Sequence, residues 1–184
     1  MTIDLRPLNE HDANYSEIID LYREAFPKVQ RLPRCFIRHR LKRGKAGFNA
    51  VYDHDTWVGF VYTKEYKDIV CVLFFAISES FRSCGYGSKV LDLLGDMHCG
   101  KRLVLNIEEL DEHAENYPQR IKRRAFYRKN GFNSTGFIVI EPGERQEILI
   151  RGGSISKEEV ESMNKYFMGC ILNFLLKPEV IKAK

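Results

Sequence analysis

The feature that most constrains the fold is a nine-residue apolar run that leads directly into a glycine-containing turn. Residues 69–77 read IVCVLFFAI, and both alternating sets of their side chains are apolar or small. Successive side chains of a strand point to opposite faces, so this pattern predicts a strand buried on both faces at the centre of a sheet. A helical pattern follows over 87–98, and its predicted buried face is formed by Val90, Leu91, Leu94 and Met97.

Patterns of strand and helix alternate along the rest of the chain. Alternating apolar residues predict strands over 2–8, 48–52, 57–63, 102–108, 137–140 and 147–150. Apolar residues at helical spacing predict helices over 15–26, 32–43, 119–129 and 157–176. This order predicts an α/β protein with a mixed sheet and helices on both of its faces. We expect one domain over residues 1–153, and a helical extension over 154–184 that packs on this domain or forms a dimer contact.

Composition and charge argue against several other classes of protein. The chain has 184 residues, of which 44% are hydrophobic, as in an ordinary single-domain globular protein. It lacks both an apolar run of about 18 residues and the basic, then apolar, start of a signal peptide, so we expect a cytoplasmic protein. The net charge of +4 suits a phosphate-bearing ligand but is small for a nucleic-acid-binding domain.

Cysteines and histidines show neither the spacing of a metal site nor that of a disulfide framework. The five cysteines include no Cys-x-x-Cys pair, and the five histidines have no spacing typical of ligands. These residues are Cys35, Cys71, Cys84, Cys99, Cys170, His11, His39, His54, His98 and His113. We therefore predict reduced thiols and no metal ion.

The turn after the apolar run has the features of an anion-binding site. Residues 75–88 read FAISESFRSCGYGS, and the next helix begins within this segment. Amide N–H groups at a helix start have no partners within the helix, and the helix dipole favours negative charge there. Gly85 and Gly87 lack a Cβ atom, so a pyrophosphate can approach the backbone closely, and Arg82 adds positive charge. Two glycines alone also fit a plain helix-start turn, and neither a Walker loop nor a full dinucleotide fingerprint is present.

A second motif further along the chain makes the pattern much more specific. The predicted helix over 119–129 ends in the sequence FYRKNGF, residues 126–132. The order of strand, Arg-x-x-Gly-x-Gly loop, helix, strand and this motif resembles the GNAT superfamily of N-acetyltransferases, and the resemblance extends from about Ile3 to Ile150. It implies a mixed, mostly antiparallel central sheet with helices on both faces. It also implies acetyl-coenzyme A (acetyl-CoA) as the co-substrate.

The same resemblance implies which residues bind the coenzyme. In the family the glycine loop holds the pyrophosphate, and the strand before it pairs with the pantetheine arm. The matching residues are Ala76, Ile77, Arg82, Ser83, Cys84, Gly85, Tyr86, Gly87 and Ser88. Cys84 lies at a helix start, where the pKa of a thiol falls, but no histidine stands in the loop to activate it. We expect Cys84 to contribute only its backbone.

This chain departs from the family pattern on the second helix. Arg120 occupies the position of an asparagine that contacts the coenzyme in the family, and Arg123 that of an alanine. We hypothesise that Arg120 replaces the hydrogen bond of the asparagine by an ionic contact to a coenzyme phosphate, since guanidinium groups bind phosphate in bidentate fashion. The alternative is that Arg120 pairs with the acidic residues just upstream. Those residues are Glu108, Glu109, Asp111, Glu112 and Glu115.

Two side chains are candidates for the chemistry of acetyl transfer. The resemblance places Tyr127 near the thioester sulfur, where a phenol with a pKa of about 10 can donate a proton to the thiolate. The alternative is that Tyr127 packs in the core beside Phe126. Glu108 ends a predicted strand on the same face as Asn106, so we take it as the base, acting directly or through a water. Glu79 is a second candidate for the base.

The expected function is direct transfer of an acetyl group from acetyl-CoA to a primary amine of a small molecule or peptide. One alternative is a GNAT-fold sensor that binds coenzyme A without catalysis. A less favoured alternative is nucleic-acid binding through the basic stretches 31–45 and 120–129. The first of these stretches borders the acceptor site in the family, which would favour an acidic acceptor.

A stripe of apolar side chains on the last helix has two interpretations. It packs on the sheet of its own chain, or it forms a homodimer contact. The stripe consists of Met163, Phe167, Cys170, Ile171 and Phe174.

Overall fold

The computed structural model describes residues 2–26, 31, 47–141, 144–176 and 178–183. The helix predicted over 32–43 and almost all of the basic stretch 31–45 lie outside the described residues. The chain divides into two compact units. Met1–Lys64 and Val72–Cys99 form the N-terminal unit, and Glu65–Cys71 and Gly100–Lys184 form the C-terminal unit.

The described strands number eight and are mostly antiparallel, so the predicted mixed α/β class is confirmed. Four of them are β1 (Ile3–Pro7), β2 (Gly47–Asp53), β3 (Thr56–Tyr66) and β4 (Ile69–Ile77), in that order across the sheet. They belong to the N-terminal unit, except that the last two residues of β3 and the first three of β4 belong to the C-terminal unit. Asp53 of β2 pairs with Thr56 of β3, so a tight hairpin turn connects these strands. His54 in this turn has a left-handed backbone, with φ of 54°.

The end of β4 lies very close to β3. The N–H of Ser78 donates a hydrogen bond of 2.9 Å to the carbonyl oxygen of Val58. A Cβ atom on Gly59 would lie only 2.4 Å from the carbonyl oxygen of Ala76, so only glycine allows this approach. These contacts fix the end of β4 against its neighbour before the chain turns.

The burial of β4 differs along its length from the prediction. Residues 69–72 and Phe74 are buried, as expected for a central strand. Leu73 and residues 75–77 are only half-buried. The prediction of burial on both faces is therefore wrong for the last three residues of the strand, which lie next to the glycine loop.

Two described helices belong to the N-terminal unit, α1 (Tyr15–Ala25) and α2 (Tyr86–Met97). Tyr22 of α1 packs edge-on against Phe74 of β4, with ring centroids 5.0 Å apart. The rest of this core is also largely aromatic and includes Phe48, Phe60 and Tyr62. Helix α2 buries Val90, Leu91 and Leu94 as predicted. Met97 was predicted to be buried but is 58% exposed, because it is the last helical residue and extends beyond the packed face.

The C-terminal unit contains β5 (Arg102–Glu108), β6 (Asn133–Glu141), β7 (Glu144–Arg151) and β8 (Glu179–Lys182). Their order across the sheet is β5-β7-β6-β8, and all three neighbouring pairs are antiparallel. Strand β8 was not predicted, because its four residues lie in a charged tail. A bulge interrupts β6 between Ser134 and Ile138, where Gly136 has a φ of 75°.

The helices of the C-terminal unit are α3 (Tyr117–Lys129) and α4 (Lys157–Leu176). Helix α3 begins two residues before its predicted start and is followed by Gly131 with a φ of 81°, a left-handed conformation that is common after a helix end. In α4, Met163 is buried, and the ring of Phe167 packs edge-on against that of Tyr66 with ring centroids 6.5 Å apart. The side chains of Cys170, Ile171 and Phe174 lie outside the described set, so dimerisation through this stripe stays a prediction.

Arg102 joins three segments of the C-terminal unit. Its guanidinium group donates to both carboxylate oxygens of Asp68, at 2.8 and 2.9 Å. It also donates to Glu159 of α4 at 2.7 Å and to the carbonyl oxygen of Ser154 at 2.5 Å. The start of β5 is thereby tied to the turn before β4 and to the first turn of α4. The division into residues 1–153 and a C-terminal extension stays a prediction.

Candidate functional site

The loop between β4 and α2 has a strained and exposed backbone. A short 3-10 turn over Glu79–Phe81 follows the strand, and the N–H of Arg82 closes it by donating to the carbonyl oxygen of Glu79 at 3.2 Å. Ser83 has a φ of 62° and Gly85 a φ of 86°, both in the left-handed region. Glycine adopts this conformation at no steric cost, whereas Ser83 adopts it against its preference.

The start of α2 presents backbone N–H groups without partners inside the helix. Gly85 is the N-terminal cap, and no side chain caps the helix. A helix that begins at Tyr86 leaves the N–H groups of its first turn unsatisfied by the helix itself. A Cβ atom on Gly85 would meet no atom within 4 Å among the described residues other than its two chain neighbours, so the described residues leave the space in front of the loop open. This geometry can bind an anion through backbone donors.

Tyr86 is anchored by a residue that the sequence analysis missed. The Tyr86 hydroxyl donates a 2.9 Å hydrogen bond to Oδ2 of Asp53, and the N–H of Thr2 donates a 2.8 Å bond to Oδ1. These two bonds lower the pKa of Asp53, and the bond to Asp53 raises the pKa of Tyr86. Asp53 therefore ties the glycine loop to the end of β2. Its place in a hairpin turn gave no signal of this role.

The remaining loop side chains make few contacts. Arg82 is exposed, and its Nε donates to the carbonyl oxygen of Ile77 at 3.2 Å. The exposed Cys84 thiol donates to the carbonyl oxygen of Arg82 at 3.4 Å. Both bonds stay within the loop, so they stabilise its local conformation.

Tyr127 lies on α3 of the C-terminal unit with its ring between two other aromatic rings. The ring centroids of Phe126 and Phe132 lie 5.1 and 5.7 Å away, both in edge-on geometry. Removal from water raises the pKa of Tyr127 to about 12, although the positive charge of Arg123 opposes this effect. Within the described residues its hydroxyl has no hydrogen-bond partner. The phenol therefore stays protonated at neutral pH and is available to donate.

Glu108 belongs to a hydrogen-bonded network that joins β5 to α3. One carboxylate oxygen is ion-paired with Arg123, and the other accepts a 2.8 Å bond from the side-chain amide of Asn116. The Glu108 side chain is 15% exposed. Taking up a proton would break the pair with Arg123. Asn116, the N-terminal cap of α3, is a second contributor that the sequence analysis missed.

Arg120 takes part in the same network. Its Nε donates to the side-chain oxygen of Asn116 at 2.7 Å, and its Nη1 donates to the carbonyl oxygen of Glu109 at 2.6 Å. Two of its donors are thus directed at the protein. Of the two roles considered for Arg120, these contacts favour the structural one, although with the backbone and Asn116 as partners instead of the predicted acids.

Glu79, the other candidate base, lies in the N-terminal unit and is exposed. In the part of the chain that the structure describes, its carboxylate has no hydrogen-bond or ion-pair partner. This carboxylate differs from that of Glu108, which is held by Arg123 and Asn116.

The described residues show neither a metal-binding cluster nor a membrane-spanning helix. No group of three or more His, Cys, Asp or Glu side chains is arranged to hold a metal ion. None of the helices described is both long and apolar enough to cross a membrane.

The strand, the left-handed loop and the uncapped helix start belong to a mixed α/β protein. Residues 44–134 match the family model described as an acetyltransferase (GNAT) domain. The chain therefore carries a GNAT-family domain, and the solved structures similar to it are GNAT-family acetyltransferases. No curated protein sequence is detectably similar to the chain.

Three similar structures illustrate the range of the fold. A GNAT-family protein from Bacteroides thetaiotaomicron is 19% identical, with a TM-score of 0.67 over 94% of this chain and 98% of its own. An aminoglycoside 6'-N-acetyltransferase complexed with coenzyme A is 16% identical, with a TM-score of 0.58 over 82% and 96% of the two chains. The ribosomal-protein-S18-alanine N-acetyltransferase from Escherichia coli is 16% identical, with a TM-score of 0.57 over 85% and 97%. At these identities the similarity shows the fold.

Proposed function

We propose that this protein transfers an acetyl group from acetyl-CoA directly to a primary amine. The observation that carries the proposal is the open, glycine-capped start of α2 directly after β4. The match to the GNAT domain and the coenzyme A bound to the aminoglycoside acetyltransferase support the same choice of co-substrate. The coenzyme pyrophosphate is held by the backbone of residues 82–88. The half-buried backbone of Ala76 and Ile77 pairs with the pantetheine arm.

Tyr127 acts as a hydrogen-bond donor to the departing sulfur. Its pKa of about 12 keeps the phenol protonated at every pH at which the enzyme would work. Complete proton transfer to a thiolate, whose thiol has a pKa of about 8.5, is uphill from such a phenol. The useful contribution of Tyr127 is therefore stabilisation of the negative charge that develops on sulfur.

The base is Glu79 in preference to Glu108, because its carboxylate is the available one. An alkyl ammonium has a pKa of about 10.4, so the acceptor must lose a proton before it can attack. Glu79 accepts this proton through a water and passes it to solvent. The amine nitrogen then bonds to the thioester carbon, the C–S bond breaks, and the second amine proton ends on the coenzyme thiol.

Glu108 is a positioning residue in this mechanism. With Asn116 and Arg123 it fixes α3 against β5, and α3 carries Tyr127. The same contacts weaken the case for nucleic-acid binding. Arg123 and Arg124 are ion-paired with Glu108 and Glu147, so part of the basic stretch 120–129 is neutralised.

Release of coenzyme A thiol, measured with a panel of amines, tests this proposal. We expect acetyl-CoA-dependent thiol release with at least one primary amine and an acetylated product of the matching mass. Coenzyme A binding in calorimetry without turnover on any amine would instead support the sensor. Salt-sensitive retention on DNA, with no coenzyme binding, would support the nucleic-acid alternative.

A further inference from the structure

A cleft of about 630 Å³ lies within the C-terminal unit, along α3 and the beginning of β6. Its size falls within the range of small-molecule sites, about 300–1,000 Å³. Phe132 and Leu149 form its buried apolar part. Ile121 of α3 adds an apolar side chain that is 44% exposed. With the exposed Ala125 and the half-buried Leu110, it forms the apolar surface of the cleft that is open to a ligand.

The charged groups of the cleft are all positive. Nine residues line it, and they include Arg124 and Arg128 but no acidic residue. Arg124 donates to the buried Glu147 at 3.1 Å, so its charge is compensated. Arg128 is exposed and has no ion pair or side-chain hydrogen bond among the described residues. An apolar surface beside an uncompensated guanidinium is complementary to an anion with an apolar body.

Helical spacing places the cleft on a different side of α3 from the proposed catalytic group. Ile121, Arg124, Ala125 and Arg128 recur three and four residues apart and share one side of the helix. Tyr127 is not among the residues that line the cleft. Its ring packs edge-on against that of Phe132, which lines the cleft, with ring centroids 5.7 Å apart. The cleft is thus not accounted for by the transferase proposal.

We propose that this cleft binds a small amphipathic carboxylate, with the carboxylate on Arg128 and the apolar body on Ile121, Ala125 and Leu110. The carboxylate accepts two parallel hydrogen bonds from the guanidinium group. The apolar body covers aliphatic surface of these residues that water otherwise contacts. This site does not depend on the transferase reaction, and its occupation can be measured without acetyl-CoA.

Two probes of the same shape separate the ionic from the apolar contribution. The first is 4-phenylbutanoate and the second is its neutral amide, 4-phenylbutanamide. Binding is followed by two-dimensional NMR of the labelled full chain, from the amide shifts of Ile121, Ala125 and Phe132. We expect the carboxylate to shift these amides and to bind about three- to tenfold more tightly than the amide, as for one charged contact at an open site.

Arg128→Gln and Lys129→Gln make a matched pair of variants. Both residues are exposed in the last turn of α3, but only Arg128 lines the cleft. Arg128→Gln should bind the carboxylate no more tightly than the amide, and Lys129→Gln should behave as wild type. The proposal is overturned if the wild type binds both probes equally or if both variants lose the preference to the same extent. Displacement of the probe by saturating coenzyme A would equally overturn it, since the cleft would then belong to the coenzyme site.

Discussion

Removal from water keeps the hydroxyl of Tyr127 protonated, and this hydroxyl is the proposed hydrogen-bond donor to the departing sulfur. Tyr127→Phe should lower kcat by about 10- to 100-fold and leave the Kd for coenzyme A unchanged, because it removes one donor and little contact area. Tyr117→Phe, the same change at the first residue of α3, is the control and should retain wild-type kcat. Steady-state kinetics and calorimetry on both variants make the comparison. Equal kcat for Tyr127→Phe and wild type would remove Tyr127 from the mechanism.

The two candidate bases should give opposite results when each carboxylate is neutralised. Glu79→Gln should lower kcat/KM with little effect on stability, since no partner of this carboxylate is described. Glu108→Gln should keep kcat/KM near that of wild type but reduce the stability by about 1 kcal/mol through the lost pair with Arg123. Steady-state kinetics and thermal melts of both variants distinguish the roles. A lowered kcat/KM in Glu108→Gln alone would restore Glu108 as the base.

The sequence could identify these residues only in part. It predicted that Glu108 ends a strand and that Tyr127 lies on a helix, and both are found there. It did not reveal that Arg123 of the helix reaches the carboxylate of Glu108. Periodicity gives the direction of a side chain within its own element, whereas this contact depends on how two elements pack. The anchoring of Tyr86 by Asp53 was missed for the same reason.

Among the elements, the loop before α2 depends on the left-handed backbone of its N-terminal cap. Gly85→Ala should cost about 1 kcal/mol of stability and weaken coenzyme A binding, because the required φ of 86° disfavours a side chain. Gly100→Ala is the matched control. Gly100 has a φ of 81° and equally open space around its Cβ position. Thermal melts should show similar losses of stability for both variants. Calorimetry should show a higher Kd for coenzyme A in Gly85→Ala alone. A raised Kd in both would show that general destabilisation is the cause.

The hydrogen bond between Tyr86 and Asp53 should hold the same loop in its binding conformation. Tyr86→Phe should raise the Kd for coenzyme A about three- to tenfold, as expected for a lost bond to a charged group. Tyr52→Phe removes a comparable hydroxyl bond, 3.1 Å long and made to Asn14, elsewhere in the same unit. It should leave the Kd unchanged. If Tyr52→Phe raises the Kd as much as Tyr86→Phe, the anchor has no specific role.

Most helices and strands were predictable because their apolar residues repeat over many positions. The long helix over 157–176 was found within its predicted bounds. The exceptions are short elements and element ends. Strand β8 has only four residues, too few for a clear alternation. Met97 and the last residues of β4 follow the periodic pattern, but each lies where its packing partners end.

At the scale of the whole molecule, acid should weaken the C-terminal unit through the contacts of Arg102. Its ion pairs lower the pKa of Asp68 and of Glu159. A carboxylate whose pKa is lowered by folding contributes stability above its unfolded pKa, about 4, and loses it as pH falls through the folded value. Unfolding in urea at a series of pH values should therefore show a loss of stability below about pH 4.

Arg102→Gln should be less stable than wild type at neutral pH, and this difference should shrink as pH falls below about 4. Arg6→Gln is the control, since Arg6 pairs with Asp4 on an exposed surface and should contribute little. A constant difference between wild type and Arg102→Gln across this pH range would contradict an ionic origin.

Strand β8 also has a consequence for synthesis on the ribosome. It pairs with β6, whose other neighbour is β7, and so covers a free row of N–H and C=O groups at that side of β6. The chain between Arg151 and Glu179 takes about one to six seconds to make at about 5–20 residues per second. During this interval β6 and β7 are complete and β8 does not yet exist. The nascent protein must therefore pass through a period in which an open strand edge can pair with a neighbouring chain.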